Sequence, residues 1–370
     1  MMQWVFHHYP TVDVEYHFTC RTPGIDLSPY AERIQQEINA FCDRVLQADE
    51  LDYLAQLPYI KPDFIAYLKT FRLSKNHIQI VTRPQFDIVI KGPWLATILF
   101  EVPVLAIVSE IYHGDQPVLS PYETALHKLS NKIQLVLTKT PIQEFEFIEF
   151  GTRRRFSFSL QKILLEELKS KLPNNLIGTS NVFFAKQLQL TPMGTMAHEY
   201  IQAFQSLAPE LRMSQVMAFK AWLDEYHDEL GIVLSDTFNQ AIFFSDFSAE
   251  LARAYKGVRQ DSGDPFEWGE HLISHYQSLG IDPRTKSIIF SDALTFDLAI
   301  ALFKRFHHRI HTVFGIGTHL TNDVGIEPIQ IIIKMTHCQG KPVAKLSDSP
   351  SKSMLHDKSY VETLKKVFKA

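Results

Sequence analysis

His198 lies in the run Leu190-Thr191-Pro192-Met193-Gly194-Thr195-Met196-Ala197-His198-Glu199. Pro192 and Gly194 end an extended stretch. A helical pattern then starts at once, with Ile201, Phe204 and Leu207 three apart. A histidine in the first turn of a helix stands among free backbone N–H groups, which favour a neutral imidazole and any anion beside it. Two roles fit that position. The neutral ring nitrogen can accept a phosphoryl group, or the ring can simply cap and pack at a helix start.

The other residues able to do chemistry come directly after short apolar runs. Phe145-Glu146-Phe147-Ile148 leads to Phe150-Gly151-Thr152-Arg153-Arg154-Arg155, and Leu176-Ile177 to Gly178-Thr179-Ser180-Asn181. Ile232-Val233-Leu234 leads to Ser235-Asp236-Thr237, and the run ending at Val258 to Arg259-Gln260-Asp261-Ser262-Gly263-Asp264. Ser287 to Phe290 precedes Ser291-Asp292-Ala293, and Thr312 to Phe314 precedes Gly315-Ile316-Gly317-Thr318. Taken singly, Ser180 or Asp236 reads as a helix N-cap and the arginine run as a solvated face. Together, at one end of a sheet, they read as a site. Gly315, Gly317 and Thr318 offer backbone N–H groups and a hydroxyl suited to a phosphate monoester. Arg153, Arg154 and Arg259 can clamp carboxylate or phosphate oxygens. Asp261 and Asp292 can bind ribose hydroxyls or hold Mg²⁺ against a diphosphate. Phe150 beside Arg153 gives a flat apolar face next to a cation, fit for an aromatic acid.

The elements that must position these groups alternate. Helix-length amphipathic segments (Phe156 to Lys171, Pro209 to Glu229, Phe266 to Leu279, Thr295 to His307) separate the apolar runs, among which Leu188-Gln189-Leu190 is also counted. Strand then helix, about seven or eight times over, predicts an α/β fold in which a parallel (β/α) sheet closes into an irregular barrel. No Gly-rich dinucleotide turn supports an open doubly wound sheet. Ahead of it, helices are expected over Tyr30 to Gln47, Ala48 to Leu57 and Pro62 to Phe71, and strands over Ile78 to Thr82 and Asp87 to Lys91. A helix or strand comes next, through Trp94 to Val108. The expected organisation is a smaller α+β domain over 1–115, the barrel over 116–334, and a segment 335–370 that packs back on the first domain.

With 370 residues, 45% of them apolar and 21% charged, the chain has the composition of an ordinary globular protein. A net charge of −4 argues against bulk attraction to nucleic acid or an anionic membrane. Cys20, Cys42 and Cys338 are too scattered for a thiolate metal site or a disulfide framework, which suits a reducing, cytoplasmic setting. Glu101 and Pro103 interrupt the most apolar stretch, Ala96 to Val108, so no membrane span is expected. A sugar-phosphate aldolase or isomerase on the same barrel would need a buried lysine or a Glu/His pair at a strand end. Lys256 is the lysine placed to test that.

Several longer motifs carry a resemblance. They are Gly194-Thr195-Met196-Ala197-His198-Glu199, Arg259 to Pro265, Phe290-Ser291-Asp292-Ala293-Leu294 and Phe314 to Asp323. Phe150-Gly151-Thr152-Arg153, Lys91-Gly92-Pro93-Trp94, Phe100 to Leu105 and Lys345-Leu346-Ser347-Asp348 agree with them. In these the chain resembles the nicotinate phosphoribosyltransferases, type II phosphoribosyltransferases. The resemblance implies that nicotinate and phosphoribosyl pyrophosphate give nicotinate mononucleotide and diphosphate, with Mg²⁺ present and ATP hydrolysed through a phosphohistidine at His198, in NAD salvage. It also implies that Phe150 stacks on the pyridine, with Gly151, Thr152, Ser180 and Asn181 around it and Arg153 and Arg259 against the substrates. By the same resemblance Asp261, Ser262, Gly263, Ser291 and Asp292 serve the ribose and diphosphate, and Gly315, Gly317 and Thr318 the 5-phosphate. A homodimer with the active site near its interface is implied as well. Nicotinamide-using relatives carry an acidic residue where this chain has Ser180, which favours nicotinate here. Members usually begin with an Asp-x-Tyr segment, and this sequence starts after it. The expectation is weaker nicotinate binding, by about 1–2 kcal/mol, if that aromatic contact is lost. The alternatives are a nicotinamide phosphoribosyltransferase, or a non-catalytic relative that lacks the N-terminal stacking segment.

Overall fold

The computed structural model describes residues 1–141, 143–348 and 357–369. Two sheets organise the chain. The first is antiparallel and contains β1 (Asp13–Cys20), β2 (Ile78–Val81), β3 (Asp87–Pro93), β10 (Ile331–Cys338) and β11 (Lys341–Pro342), in the order β11-β10-β1-β3-β2. The second is parallel: β4 (Glu146–Glu149), β5 (Leu176–Thr179), β6 (Ile232–Leu234), β7 (Gly257–Gln260), β8 (Ser287–Phe290) and β9 (His311–Ile316), in the order β5-β4-β9-β8-β7-β6.

That second order is a barrel's. The last strand, β9, pairs with the first, β4, from Glu146 against Val313 to Glu149 against Ile316. The ring is open between β5 and β6 instead. Alternation within each short strand separates two apolar faces. Ile148, Ile289 and Val313 point inward with Phe150, Ile177, Met193 and Ile232, while Phe147, Ile288, Phe290 and Phe314 join the main core beneath the helices.

The open seam is where expectation and structure part. Leu188-Gln189-Leu190 is not a strand. Val182–Leu188 is a helix, and Gln189 ends it in the left-handed conformation (φ 51°). The next residues touch the sheet through one bridge, Thr179 to Pro192. Leu188 belongs to that helix and the Leu190 N–H closes back on the Ala185 carbonyl (2.9 Å), so the run pairs with no strand and the parallel sheet has six strands among the described residues. The helix expected from Pro209 is shorter, Ser214–Tyr226, and that from Tyr30 stops at Cys42 once Ile34, Ile38 and Cys42 are buried. Trp94 to Val108 resolves as helices Trp94–Thr97 and Glu101–Gly114. Trp94 to Gly114 is apolar and long enough to cross a membrane, but most of it is buried in the protein.

Helix His198–Leu207 leaves the seam and ties the sheets together. Gln205 gives an Nε2 bond to the Ala344 carbonyl (2.7 Å) and takes one from the Ala344 N–H (2.9 Å). Tyr200 and Phe204 pack on Trp4 at 4.8 and 5.3 Å between ring centroids, and Trp4 also meets Trp94. Of the segment 335–370, residues 349–356 and 370 lie outside the described residues. β11 and the end of β10 belong to the antiparallel sheet, and helix Lys358–Phe368 stacks Phe368 on Phe238 at 4.1 Å.

On the antiparallel sheet, His17 bridges Asp87 (Nδ1 to Oδ2, 2.6 Å) and Glu15 (Nε2 to Oε1, 2.9 Å). The Asp87 hydrogen bond raises the His17 pKa. A raised pKa contributes stability that is complete below the unfolded value, about 6.5, and is lost as pH rises through the folded value. The melting temperature of His17→Gln should therefore fall furthest below wild type near pH 6 and converge on it near about pH 9; a gap that widens with pH would contradict the assignment.

Candidate active site

Helix caps separate the acidic residues that serve the fold from those left to the site. Asp264 Oδ1 caps helix Pro265–Ser278 by accepting from the Phe266 and Glu267 N–H groups, both at 2.9 Å. Asn181, Asn239 and Thr295 cap the helices after β5, β6 and β8. Ser180, Asp236 and Asp292 are therefore not N-caps. They lie at the carboxyl ends of β5, β6 and β8, where barrel sites are built.

Three strand ends converge on Arg259. Its Nε donates to Ser291 Oγ (3.0 Å), one terminal nitrogen to Thr195 Oγ1 (2.7 Å) and the other to Asp261 Oδ2 (2.9 Å). The guanidinium carbon lies 5.8 Å from the centroid of the Phe150 ring. Gly315 has to be glycine, because a Cβ there would come within 2.5 Å of that ring. At Gly317 a Cβ would approach the Phe150 carbonyl at 3.1 Å, so the β9 end is shaped around Phe150. From the ring a cavity of about 360 Å³ runs through the barrel to the amino ends of β6 and β7, lined by Ile148, Ile289, Met193, Ile232, Gly231 and Lys256.

His198 sits beside this cluster at the seam. Its Nε2 lies 2.7 Å from Asp236 Oδ1, 2.8 Å from Lys345 Nζ and 3.7 Å from Asp261 Oδ2. Lys345 Nζ also reaches Asp236 Oδ2 at 2.5 Å, and both side chains are at most 4% exposed. Burial pushes the His198 pKa down to about 4, and the Lys345 ammonium adds to the effect. Burial opposes ionisation of Asp236, but His198 and Lys345 outweigh it and hold that carboxyl well below the usual range. We take Lys345 and Asp236 as the charged pair and His198 as neutral, so its Nε2 can give a hydrogen to Asp236 or a lone pair to Lys345, but not both. In the first tautomer His198 Nδ1 carries the ring's lone pair.

The arginine run divides. Arg155 pairs with Glu110 (2.6 Å), donates to Gln161 (3.1 Å) and lies over Phe158, so it braces the fold. Arg153 pairs with Glu101 at 2.9 Å. Arg154 donates to Gln330, and burial together with neighbouring Arg153 lowers its pKa to about 10. Arg21 at the end of β1 also acts on it. Thr152 is turned inward, where its hydroxyl accepts from Gln161 and Asn181. Ser262 is buried, Gly263 takes a left-handed turn (φ +79°), and Thr318 opens the short helix Thr318–Thr321. Ser180 is exposed at the rim, while Gly151 is packed against Thr321. Lys256 is exposed and pairs with Asp228 at 3.2 Å, so it is not the buried lysine an aldolase would need.

Two residues at the centre are given no individual site role by the sequence. Asp236 reads singly as an N-cap, and Lys345, though it opens one of the motifs that carry the resemblance, lies 147 positions from His198 in a stretch with no periodic signal.

An open-seamed parallel barrel with a basic, aromatic-floored site at its strand ends defines a phosphate-handling barrel enzyme class. Comparison with known proteins narrows it. The family model described as "Nicotinate phosphoribosyltransferase (NAPRTase) family" matches residues 145–370, and that of the family's N-terminal domain matches residues 1–109. Over 374 residues the chain is 48% identical to nicotinate phosphoribosyltransferase of Ralstonia nicotianae, covering all of this chain and 95% of the relative. The Burkholderia ambifaria enzyme is 47% identical over 372 residues, with 100% and 93% covered. The crystal structure of nicotinate phosphoribosyltransferase from Vibrio cholerae superposes with a TM-score of 0.94 at 39% identity, covering 100% of this chain and 90% of that one. That from Porphyromonas gingivalis gives 0.93 at 31% identity, with 100% and 96% covered. The chain belongs to the nicotinate phosphoribosyltransferase family.

Lys345→Met keeps the length of the side chain and removes its charge. His198 should then titrate above its wild-type value of about 4, with burial still holding it down, as read by NMR of isotopically labelled histidine. A titration unchanged from wild type would show that Lys345 does not act on the ring.

Proposed function

We propose that the protein transfers the phosphoribosyl group of phosphoribosyl pyrophosphate to nicotinate, forming nicotinate mononucleotide and diphosphate for NAD synthesis. ATP hydrolysis through phosphorylated His198 drives the transfer. The observation that carries the first part is Arg259, held by three partners with its guanidinium against the Phe150 face. A planar anion stacked on Phe150 would meet a cation that cannot turn away. Ser180 at the rim has no charge to repel a carboxylate.

The chain's own groups account for most of the chemistry. The pyridine nitrogen attacks the anomeric carbon as the bond to diphosphate breaks, through an oxocarbenium-like state. Arg153 and Arg154 would hold the departing charge. Gly315, Gly317 and Thr318 would fix the 5-phosphate, with Ser262, Gly263, Ser291 and Asp292 around the sugar. Asp261 and Asp292 would supply the oxygen ligands that Mg²⁺ prefers, and the ion would neutralise charge on the leaving group.

For the ATP step, His198 Nδ1 attacks the γ-phosphorus and the bond to ADP breaks. Asp236 holds the Nε2 proton and stabilises the ring as positive charge develops on it. Hydrolysis of the P–N bond returns the histidine. The phosphorylated and free forms favour different bound ligands, which couples hydrolysis to net synthesis.

A homodimer agrees with the surface. Phe158, Val182 and Phe183 are 37–42% exposed beside the loops that come after β4 and β5. A second copy covering them would bring the interface to the rim of the site. Cysteines without pairs suit a cytoplasmic location.

The test is mononucleotide formation from phosphoribosyl pyrophosphate and Mg²⁺ with nicotinate or nicotinamide, each with and without ATP. Nicotinate should be the preferred base, ATP should raise its turnover, and His198→Ala should abolish the response to ATP while keeping a basal rate. Preference for nicotinamide, or an ATP response surviving in His198→Ala, would refute the corresponding half.

A further inference from the structure

Glu149 is the last residue of β4, directly before Phe150, and its side chain is completely buried. Its hydrogen-bond partners are neutral groups. Oε1 accepts from the Gly151 N–H and from Gln161 Nε2 (3.0 Å), and Oε2 accepts from Thr179 Oγ1 (2.6 Å). Its main-chain carbonyl takes the Ser180 N–H at 2.9 Å. One residue thus ties the loop after β4, the end of β5 and the helix Phe158–Lys171.

A carboxylate can only accept, so it dictates the direction of every bond around it. Thr179 must give its hydroxyl proton to Glu149, which leaves the same oxygen to accept the Asn181 N–H at 3.0 Å. Gln161, fixed by Glu149 through Nε2 and by Arg155 through Oε1, also donates to Thr152 Oγ1 at 2.9 Å. Asn181 Nδ2 meets that same Thr152 oxygen at 3.2 Å. The network closes a loop whose two free ends are Phe150 and the Ser180–Asn181 rim. Burial of a carboxyl among neutral donors is costly, and it raises the pKa of Glu149 despite three hydrogen bonds. Packing alone would be served better by an apolar residue. A buried acid here therefore needs a reason, and the geometry supplies one.

We propose that Glu149 is a positioning residue for the pyridine substrate, setting the spacing between the Phe150 face and the Ser180–Asn181 rim and so the preference for nicotinate over nicotinamide. The inference rests on the reading that nicotinate is the base bound there. Glu149 touches no substrate and acts through Gly151, Thr179 and Gln161.

The variant Glu149→Gln keeps the shape but turns one acceptor into a donor, facing either the Gly151 N–H or Thr179. Misplacement on the scale of an ångström costs up to about 100-fold. We expect kcat/KM for nicotinate to fall by roughly 10- to 100-fold, mainly through KM, with the ratio of nicotinate to nicotinamide turnover falling too. KM for phosphoribosyl pyrophosphate should stay at the wild-type value. Glu149→Asp, which keeps the charge but is one methylene short, should recover part of the loss. Thr179→Val, which removes one donor, should move the same parameters in the same direction, and it carries the test if Glu149→Gln does not fold. An equal rise in KM for both substrates, or no change in either, would overturn the assignment. Absence of nicotinate turnover in the wild-type protein would instead overturn the functional reading itself.

Discussion

The arrangement depends on one buried ion pair. Lys345 and Asp236 are almost fully buried and lie against each other at 2.5 Å, and His198 shares both. Two charges taken out of water are tolerated only when each answers the other, and removing one partner alone typically costs about 3–5 kcal/mol. Here the partners come from distant parts of the chain. Asp236 ends β6, Lys345 comes after β11, and His198 opens the helix beside the barrel seam. The pair therefore acts as a fold constraint and an electrostatic setting at once. It holds the C-terminal segment over the barrel mouth, through the bond from the Leu346 N–H to the Thr237 carbonyl (2.8 Å) as well. Burial, aided by the Lys345 ammonium and opposed by Asp236, keeps the imidazole neutral, which a nucleophilic histidine requires.

The open seam makes this possible. In a closed barrel the gap between β5 and β6 would be bridged by ladder hydrogen bonds and lined with apolar side chains. Pro192 and the left-handed Gln189 prevent that, and residues 190–197 run loosely along the edge of β5 until the helix begins. Gly178 accommodates them, since a Cβ there would meet the Thr191 carbonyl and Met193. Helix His198–Leu207 then reaches across to the antiparallel sheet, where Trp4, Trp94, Tyr200 and Phe204 form one aromatic cluster. Fully burying one such ring is worth about 1.5–3 kcal/mol. The position of His198 is thus fixed from both sheets.

Much of this is legible in the sequence, for a physical reason. Short apolar runs separated by amphipathic helices announce a parallel sheet, and in a parallel sheet every strand end faces the same way. The polar residues just past each run, Phe150 and its neighbours, Arg259, Asp261 and Ser291, must therefore share one face with His198. Local pattern misleads where backbone chemistry overrules it, as at Leu188–Leu190. It is silent where a side chain acts only through long-range contact. Lys345 has no periodicity to expose it, and Glu149 sits within an alternating strand pattern where an acid looks like a solvent-facing residue. The three arginines of the Arg153–Arg155 run look equivalent in sequence, and only their partners divide them, with Arg155 committed to Glu110 and Gln161.

The most direct test of the account is the state of His198 itself. The protein would be incubated with ATP and Mg²⁺ and monitored by ³¹P NMR, which distinguishes the two phosphorylated ring nitrogens. Beside the wild type would stand Asp236→Asn, whose neutral amide offers the Nε2 proton no negative charge. The account predicts an acid-labile phosphoramidate on Nδ1 of His198 in the wild type and little or none in the variant. Phosphate on Nε2, or the same yield without the Asp236 carboxylate, would contradict it.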